Sequence, residues 1–139
     1  IIYGKALGWV NKTNENVFIT LGIHGGDHAV YLDTKPESHE MAKELFRISN
    51  WGSERVDYIA PFEYIDKGEV LSSGISAMEQ LQFTRAEIKK VLKNTHTCYN
   101  PDEKGHSCAS CGSCTERLEA FEKAKSKWKW IKKDPIPYQ

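Results

Sequence analysis

Apolar side chains recur at helical spacing through the first thirteen residues of the chain. This spacing predicts a helix over residues 1–13 with one buried face. That face comprises Ile2, Ala6, Leu7, Trp9 and Val10. Residues 14–16 are a polar break, and residues 17–22 form a short apolar run between turn residues. Such a run predicts a fully buried strand in a parallel sheet.

The next stretch returns to a helical pattern and then to a strand pattern. Thr34-x-x-Glu37, with Pro36 between them, predicts a capping box at the start of a helix. The buried face of this helix is expected to carry Met41, Ala42, Leu45 and Phe46. Residues 56–62 predict a second strand that ends at a proline. Strand, helix, strand and helix in this order predict an α/β layer with a right-handed crossover.

Three further helices are predicted downstream. The first covers about residues 67–74 and is capped by Asp66. The second covers residues 83–92, where apolar side chains again recur at helical spacing. The third begins near Ser113-x-x-Glu116, which predicts a second capping box.

Composition places the chain among soluble globular proteins, with 40% hydrophobic and 27% charged residues in a length of 139. We expect one domain with a small metal-stapled appendage, divided into residues 1–95 and 96–139. A net charge of zero gives no overall bias towards nucleic acid or membranes. Without a membrane-length apolar run or an export signal, a cytoplasmic protein is expected. The chain begins Ile-Ile-Tyr without methionine, and we expect it to belong to a longer polypeptide.

Four cysteines lie within seventeen residues in the pattern Cys-x9-Cys-x2-Cys-x2-Cys, at Cys98, Cys108, Cys111 and Cys114. Two intervening residues make a tight turn that brings both sulfurs onto one ion, so the pattern predicts a closed tetrahedral Zn²⁺ site. Disulfide bonds would close small, strained rings at the Cys-x2-Cys steps. An iron–sulfur cluster or redox chemistry uses the same residues and stays open as an alternative. His106 lies in the same loop, but four thiolates complete a site without it.

Ligands of open α/β sheets bind beyond the carboxyl ends of the strands, and two places in this chain fit that description. The first strand is followed by a glycine pair and a cluster of polar side chains. The cluster comprises His24, Asp27, Tyr31 and Asp33. It can bind an amino-purine-like ring through its carboxylates, and the alternative is a solvated loop with Asx turns. The second strand is followed by Lys67 at a helix N-terminus, where a bound phosphate or simple surface exposure would explain a cation.

A basic run near the carboxyl terminus interleaves several lysines with Trp128 and Trp130. Lysines with stacking aromatic rings can bind nucleic acid. The alternative is a solvated helix end with both tryptophans packed inward.

The cysteine segment belongs to a larger pattern. It consists of Thr97-Cys98-Tyr99-Asn100, Cys108-x2-Cys111-Gly112-Ser113-Cys114, Glu116-Arg117-Leu118-Glu119-Ala120-Phe121 and Asp134-Pro135-Ile136-x-Tyr138. The upstream pieces are Leu21-Gly22-Ile23-His24-x-x-Asp27, Tyr31-x-Asp33-x-x-Pro36-Glu37, Ala60-Pro61-Phe62 and Asp66-Lys67-x-Glu69. Over nearly all of its length the chain resembles the 7-cyano-7-deazaguanine synthase family.

The resemblance implies a Rossmann-like fold of the adenine nucleotide alpha hydrolase type, an N-type ATP pyrophosphatase, with a zinc-binding tail. It implies a ligase that uses ATP to convert 7-carboxy-7-deazaguanine and ammonia to 7-cyano-7-deazaguanine for queuosine biosynthesis. The carboxylate is activated as an acyl-adenylate, becomes an amide and is then dehydrated. The implied cofactors are Zn²⁺ and ATP with Mg²⁺, and a homodimer is common among members.

Site roles follow from the resemblance position by position. Lys67 would contact ATP phosphates and stabilise the charge that develops as pyrophosphate leaves. Arg117 would brace the zinc loop against the substrate pocket. The residues that would line this deazapurine pocket are His24, Asp27, Tyr31 and Asp33.

The phosphate-binding Ser-Gly-Gly-x-Asp-Ser loop of the family does not occur in this chain. We therefore expect a carboxyl-terminal portion whose other half lies upstream or in a partner chain. Two further hypotheses stay open. One is a related PP-loop enzyme with other chemistry, namely deazaguanine conjugation in antiviral defence or tRNA thiolation. The other is a zinc-stabilised nucleic-acid-binding module that uses the lysine–tryptophan run.

Overall fold

The computed structural model of the chain describes residues 1–25 and 32–139. The chain divides into two compact units. The described residues of the first unit are 1–25 and 32–64, and the described residues of the second unit are 65–139. The boundary predicted at residue 95 falls inside the second unit and stays a prediction.

The first unit is an α/β layer whose described strands form a two-stranded parallel sheet. Its helices and strands are α1 (Ile2–Thr13), β1 (Val17–Thr20), α2 (Pro36–Ser49) and β2 (Val56–Ile59). Val17 lies opposite Val56, and Thr20 lies opposite Ile59. Two parallel strands need a crossover connection, and α2 supplies it. The predicted parallel strand–helix–strand unit is therefore confirmed.

The core of the first unit is small. Helix α1 packs Ala6 and Val10 against Ile19 of β1 and Val56 of β2. Phe46 of α2 packs at the edge of this cluster and stays partly exposed. The first unit thus relies on four fully buried apolar side chains among its described residues.

Three predictions about burial in the first unit are wrong. Ile2 and Trp9 of the predicted buried face of α1 are 58% and 55% exposed. Strand β1 is not fully buried, since Ile19 is its one buried residue and Phe18 is 58% exposed. Helix α2 has no buried residue, and Met41 and Leu45 of its predicted inner face are exposed. Helical spacing shows that apolar side chains share a face, but it does not show that another element covers that face.

Two predicted capping boxes are also wrong. Helix α2 begins at Pro36 with Lys35 as its N-cap, and no side chain caps it, because Thr34 lies one position too early. The helix that carries the last cysteine begins at Gly112, so Ser113 lies inside its first turn. A cap must occupy the position just before the first helical residue, and sequence spacing leaves that position uncertain by a residue or two.

The second unit is helical. Its helices are α3 (Lys67–Gln80), α4 (Arg85–Lys93) and α5 (Gly112–Lys127). Asp66 caps α3 as predicted. Its carboxylate accepts a hydrogen bond from the N–H of Glu69 at 2.9 Å, and the Glu69 carboxylate accepts one from the N–H of Asp66. Helix α3 continues to Gln80, beyond the predicted end near residue 74. Within the described residues, no helix combines the length and the apolar character that crossing a membrane requires.

The three helices of the second unit enclose a continuous apolar core. Its buried members are Ile75, Ile88, Leu92, Phe121, Ala124, Trp128 and Ile131. The start of α3 lies very close to α5, because a Cβ on Gly68 would come within 2.9 Å of Lys123 Cδ and 3.6 Å of Ala120 Cα. Glycine at position 68 permits this approach. It brings the first residue of α3 beside the helix that carries Cys114.

Candidate metal centre

The four cysteines converge on one point in the second unit. Their Sγ atoms all lie within 4.8 Å of one another. Cys108 Sγ lies 4.0 Å from Cys114 Sγ, and none of the four is in a disulfide bond. Sulfurs around one tetrahedral ion, with metal–sulfur bonds of about 2.3 Å, would be roughly 3.8 Å apart. The four side chains are therefore close enough to bind one metal ion.

The four sulfurs are positioned by the turns of the loop between α4 and α5 and by the first turn of α5. Cys98 follows α4 after a short loop, and Cys114 lies in the first turn of α5. Between them, Ala109 adopts the left-handed conformation at φ 58° and tightens the turn from Cys108 to Cys111. The N–H of Cys108 donates to Cys98 Sγ, and the N–H of Cys111 donates to Cys108 Sγ, both at 3.3 Å. The bond from Cys111 favours the thiolate of Cys108, which is the form that binds metals.

The sulfurs differ in their electrostatic surroundings. Hydrogen bonds from the side chain and backbone of Ser110 lower the pKa of Cys108 to about 6. Burial raises the pKa of Cys114 to about 12. Cys108 is thus mostly thiolate at neutral pH, whereas Cys114 needs a nearby positive charge to lose its proton. A bound metal ion supplies that charge, and four sulfur donors fit a soft or borderline ion.

His106 takes no part in this cluster. Its Nδ1 lies 3.0 Å from Asp102 Oδ2, and its backbone N–H donates to the other oxygen of the same carboxylate at 2.8 Å. In the part of the chain that the structure describes, the quartet of cysteines is the only grouping of three or more metal-ligand side chains. The histidine stabilises the loop between the first two cysteines.

Lys67 lies beside the helix that carries Cys114. Its Nζ is 2.7 Å from Glu116 Oε2 and 3.2 Å from Ser113 Oγ. The lysine side chain is 17% exposed and the glutamate side chain 9% exposed, so this ion pair is largely shielded from water. The sequence alternative of an exposed surface lysine is wrong. The predicted phosphate contact stays a prediction.

Arg117 is buried one helical turn after Cys114. Its Nε and NH2 donate to the two carboxylate oxygens of Asp134 at 2.5 and 2.9 Å. Its NH1 donates to Thr95 Oγ1 at 2.9 Å, and Tyr138 OH donates to the same aspartate at 2.6 Å. Arg117 therefore connects α5 to the end of α4 and to the carboxyl-terminal tail. Its predicted part in substrate binding stays a prediction.

The two tryptophans of the basic run have different surroundings. Trp128 is 5% exposed, donates from Nε1 to Glu79 Oε1 at 2.9 Å and lies under the ammonium of Lys127. Trp130 is partly buried and borders a cavity of about 230 Å³ that Lys132 and other lysines also line. For Trp128, the inward-packed alternative is correct, and its ring cannot stack on a nucleic-acid base without leaving the core.

Comparison with known proteins identifies the family. The family described as Queuosine biosynthesis protein QueC matches residues 1–125. This chain belongs to that family. The 7-cyano-7-deazaguanine synthase 1 of Colwellia psychrerythraea is 40% identical over 118 residues, which are 85% of this chain and 44% of that protein. The 7-cyano-7-deazaguanine synthase of Hahella chejuensis is 36% identical over 140 residues, which cover 100% of this chain and 51% of that protein.

The resemblance stated from the sequence is thereby confirmed. The chain spans about half the length of the curated relatives it matches. No solved structure gives a significant match to it. Membership of the QueC family thus rests on sequence, while the geometry of the cysteine cluster comes from the chain's own structure.

The predicted base-binding residues of this QueC family member lie in the first unit, apart from those that the structure does not describe. His24 forms an isolated parallel bridge with Phe62 just beyond the two strands. Asp33 lies in a short 3₁₀ turn before α2 and is exposed. Asp27 and Tyr31 lie outside the described residues. The pocket assignment stays a prediction for all four.

Sequence reasoning missed the acidic partners of the second unit. The sequence pattern predicts Glu116 as part of a capping box, whereas in the structure it is a counter-charge of Lys67. Asp134 appeared only as part of a family pattern, whereas it accepts hydrogen bonds from Arg117 and Tyr138. A mostly buried lysine or arginine requires an acidic partner. This rule identifies Glu116 and Asp134, but only when the burial of Lys67 and Arg117 is known.

Proposed function

We propose that the chain is the carboxyl-terminal half of a 7-cyano-7-deazaguanine synthase. The observation that carries this proposal is the match of the whole chain to relatives of that name. In the proposed reaction, a carboxylate oxygen of 7-carboxy-7-deazaguanine displaces pyrophosphate from ATP. Ammonia then displaces AMP and leaves an amide and a proton. The amide oxygen then displaces pyrophosphate from a second ATP, and loss of AMP and of both protons of the amide nitrogen leaves the nitrile.

In this proposal the metal of the cysteine cluster is Zn²⁺, and its role is structural. Four thiolates fill a tetrahedral coordination sphere and leave no position for substrate. The mutual distances within 4.8 Å and the lowered pKa of Cys108 support this assignment. When bound, the ion would supply the positive charge that Cys114 needs and hold the first turn of α5 against the loop of the other cysteines. Metal analysis of purified protein is expected to give one zinc per chain, whereas iron with visible absorption would favour a cluster.

The proposed fold of the complete protein is a Rossmann-like ATP pyrophosphatase. The two-stranded parallel sheet of the first unit supports this, because parallel sheets normally have more strands and are covered on both faces. Phe18 and Met41 leave apolar surface for such partners. The phosphate-binding loop would come from the half of the protein that relatives have and this chain does not contain. Homodimer formation belongs to the same proposal.

Each predicted site residue has a role in this reaction. Lys67 would bind ATP phosphates and stabilise the negative charge on departing pyrophosphate. Arg117 would hold the cysteine segment in place beside the substrate. The residues proposed to bind the deazapurine ring are His24, Asp27, Tyr31 and Asp33.

The deciding experiment measures nitrile formation by the complete, zinc-loaded protein from 7-carboxy-7-deazaguanine, ammonia and ATP. Lys67→Ala is expected to lower turnover about 10²–10³-fold, the usual loss when one transition-state charge stabiliser is removed. Lys90→Ala, at an exposed position on α4, is the matched control and should retain activity. A wild-type protein that instead thiolates tRNA or conjugates a deazaguanine would overturn the proposal in favour of a related PP-loop enzyme. Nucleic-acid binding without any turnover would favour the binding-module hypothesis.

A further inference from the structure

Lys67 occupies an electrostatically poor position for a cation. It is the first residue of α3, where the helix dipole presents partial positive charge. The neighbouring carboxylate of Asp66 is engaged elsewhere, since it accepts the N–H of Glu69 and pairs with Lys123 at 2.5 Å. Lys67 therefore depends on another acid for its counter-charge.

That counter-charge comes from α5. Glu116 Oε2 lies 2.7 Å from Lys67 Nζ, the distance of a charge-assisted hydrogen bond. Ser113 adds its hydroxyl at 3.2 Å and its carbonyl at 3.4 Å. An ammonium has three donors, and because the two contacts with Ser113 are longer, a donor on that side can be redirected to another acceptor.

Ser113 and Glu116, the two anchors of Lys67, both lie at the start of α5, which also carries the candidate metal ligand Cys114. Ser113 immediately precedes Cys114, and Glu116 follows it within the next turn. The N–H of Cys114 donates to the carbonyl of Cys111 at 2.9 Å, so the same turn also contains a second sulfur. A displacement of the Cys114 sulfur would move Ser113 and Glu116 with it.

Among the described residues, little free space remains around Lys67 between the two helices. The space between the start of α3 and α5 holds a cavity of only about 10 Å³, which is at most one water molecule. Gly68 lies so close to Ala120 and Lys123 that the two helices cannot come closer. When its anchors move, the ammonium must turn towards solvent.

We propose that Ser113 and Glu116 are positioning residues that make the orientation of Lys67 depend on metal binding at the cysteine cluster. With the metal bound, Cys114 holds the first turn of α5, and Lys67 is held by its two anchors. Without the metal, the first turn of α5 is no longer held by the bond between Cys114 and the ion, because metal binding and folding are coupled in such sites. The catalytic meaning of this coupling rests on the proposed function of Lys67, but the coupling itself is a structural property that is measured without ATP.

The first test is chemical labelling of lysine amines in the complete, zinc-loaded protein, quantified for each residue by mass spectrometry. Lys67 is expected to react at least fivefold more slowly than Lys90, which is exposed on α4. Glu116→Gln should bring Lys67 close to the rate of Lys90 while zinc content stays at one per chain. Glu122→Gln is the matched control, since this exposed acid on the same helix pairs only with Lys125 among the described residues.

The second test removes the metal with a chelator. The labelling rate of Lys67 is expected to rise at least fivefold, to the rate seen in Glu116→Gln. Lys43 is the internal control, because its salt bridge to Asp57 at 2.6 Å lies in the first unit and should not respond. The proposal is overturned if Lys67 stays slow in metal-free protein, or if Glu116→Gln does not change its rate in the zinc-loaded form.

Measurement of nitrile formation distinguishes failure of the proposed Lys67 positioning from failure of the proposed enzymatic function. Glu116→Gln is expected to lower kcat about tenfold with unchanged zinc content, measured at a temperature where the variant stays folded, and Glu116→Asp should restore part of the loss. In Glu116→Gln, a normal kcat with fast labelling of Lys67 would confirm that Glu116 positions the lysine and refute the phosphate role of the lysine. A wild-type protein that forms no nitrile would refute the proposed function alone.

Discussion

The two units of this chain are stabilised in different ways. The second unit combines an apolar core of seven buried residues with a buried ion pair and a cysteine cluster. The first unit has four buried apolar residues and a two-stranded parallel sheet among its described residues. It also exposes large apolar side chains, namely Phe18, Met41, Leu45, Ile48 and Trp51.

The comparison shows that the second unit contains its own stabilising partners, whereas the described part of the first unit leaves apolar surface uncovered. In the second unit, every helix contributes to one core, and each buried charge has an opposite charge beside it. In the first unit, Phe46 of α2 packs at the edge of the core, but Met41, Leu45 and Ile48 of the same helix stay exposed. The proposed missing half of the protein would cover them. Substitutions should therefore be costly in the second unit and mild at the exposed face of the first.

Removal of a metal ligand is expected to have the largest effect. Cys114→Ser should abolish stoichiometric zinc binding, because a hydroxyl is a poor substitute for a buried thiolate. Hydrogen exchange should show loss of amide protection through the cysteine segment and the first turn of α5, while α1 and the two strands keep theirs. Ser126→Ala is the control on the same helix, since among the described residues its hydroxyl bonds only to the nearby carbonyl of Lys123. Retained zinc in Cys114→Ser would contradict the proposed coordination.

The buried ion pair gives the next largest effect. Asp134→Asn removes the charge that accepts two hydrogen bonds from Arg117 and leaves the guanidinium buried without a counter-charge. The expected cost is about 3–5 kcal/mol in the free energy of unfolding. Urea denaturation followed by tryptophan fluorescence measures it. Glu122→Gln, which breaks an exposed pair with Lys125, is the control and should cost less than about 1 kcal/mol. Equal effects of the two variants would argue against a special role for the buried pair.

A matched pair of core substitutions tests the contrast directly. Ile75→Ala in α3 removes a side chain that is 0% exposed, and the resulting cavity should cost about 2–5 kcal/mol. Leu45→Ala in α2 removes a side chain that is 63% exposed, and it should change stability by less than about 0.5 kcal/mol in this 139-residue chain. Chemical denaturation of both variants is the measurement. A large loss in Leu45→Ala would mean that α2 is covered, for example by a second copy of the chain.

The same contrast explains what the sequence could predict. The cysteine spacing predicted the cluster correctly, because two-residue steps constrain sulfur positions through local backbone geometry alone. The parallel pairing of Val17–Thr20 with Val56–Ile59 was also predictable from the strand–helix–strand order. The burial of α2 was not, since periodicity reports a shared face and not its cover. The ion pair of Lys67 with Glu116 joins residues far apart in sequence, and only the close approach of α3 and α5 brings them together.

The smallest expected effect concerns the N-cap of α3 in acid. Hydrogen bonds from the Lys123 side chain and from the Glu69 N–H lower the pKa of Asp66 below its usual value. A carboxyl whose folded-state pKa is lowered adds stability above its unfolded pKa of about 3.9, and this contribution is lost as pH falls through the folded value. Asp66→Asn keeps an N-cap oxygen but cannot ionise.

The free energies of unfolding of wild type and Asp66→Asn should therefore differ near neutral pH by less than about 1 kcal/mol, since Lys123 is largely exposed. The difference should shrink as pH falls below about 4 and vanish once the wild-type carboxyl is protonated. Urea denaturation at a series of pH values measures both curves. Because the ion pair of Asp66 with Lys123 joins α3 to α5, a difference that persisted at low pH would show that the charge of Asp66 is not its source.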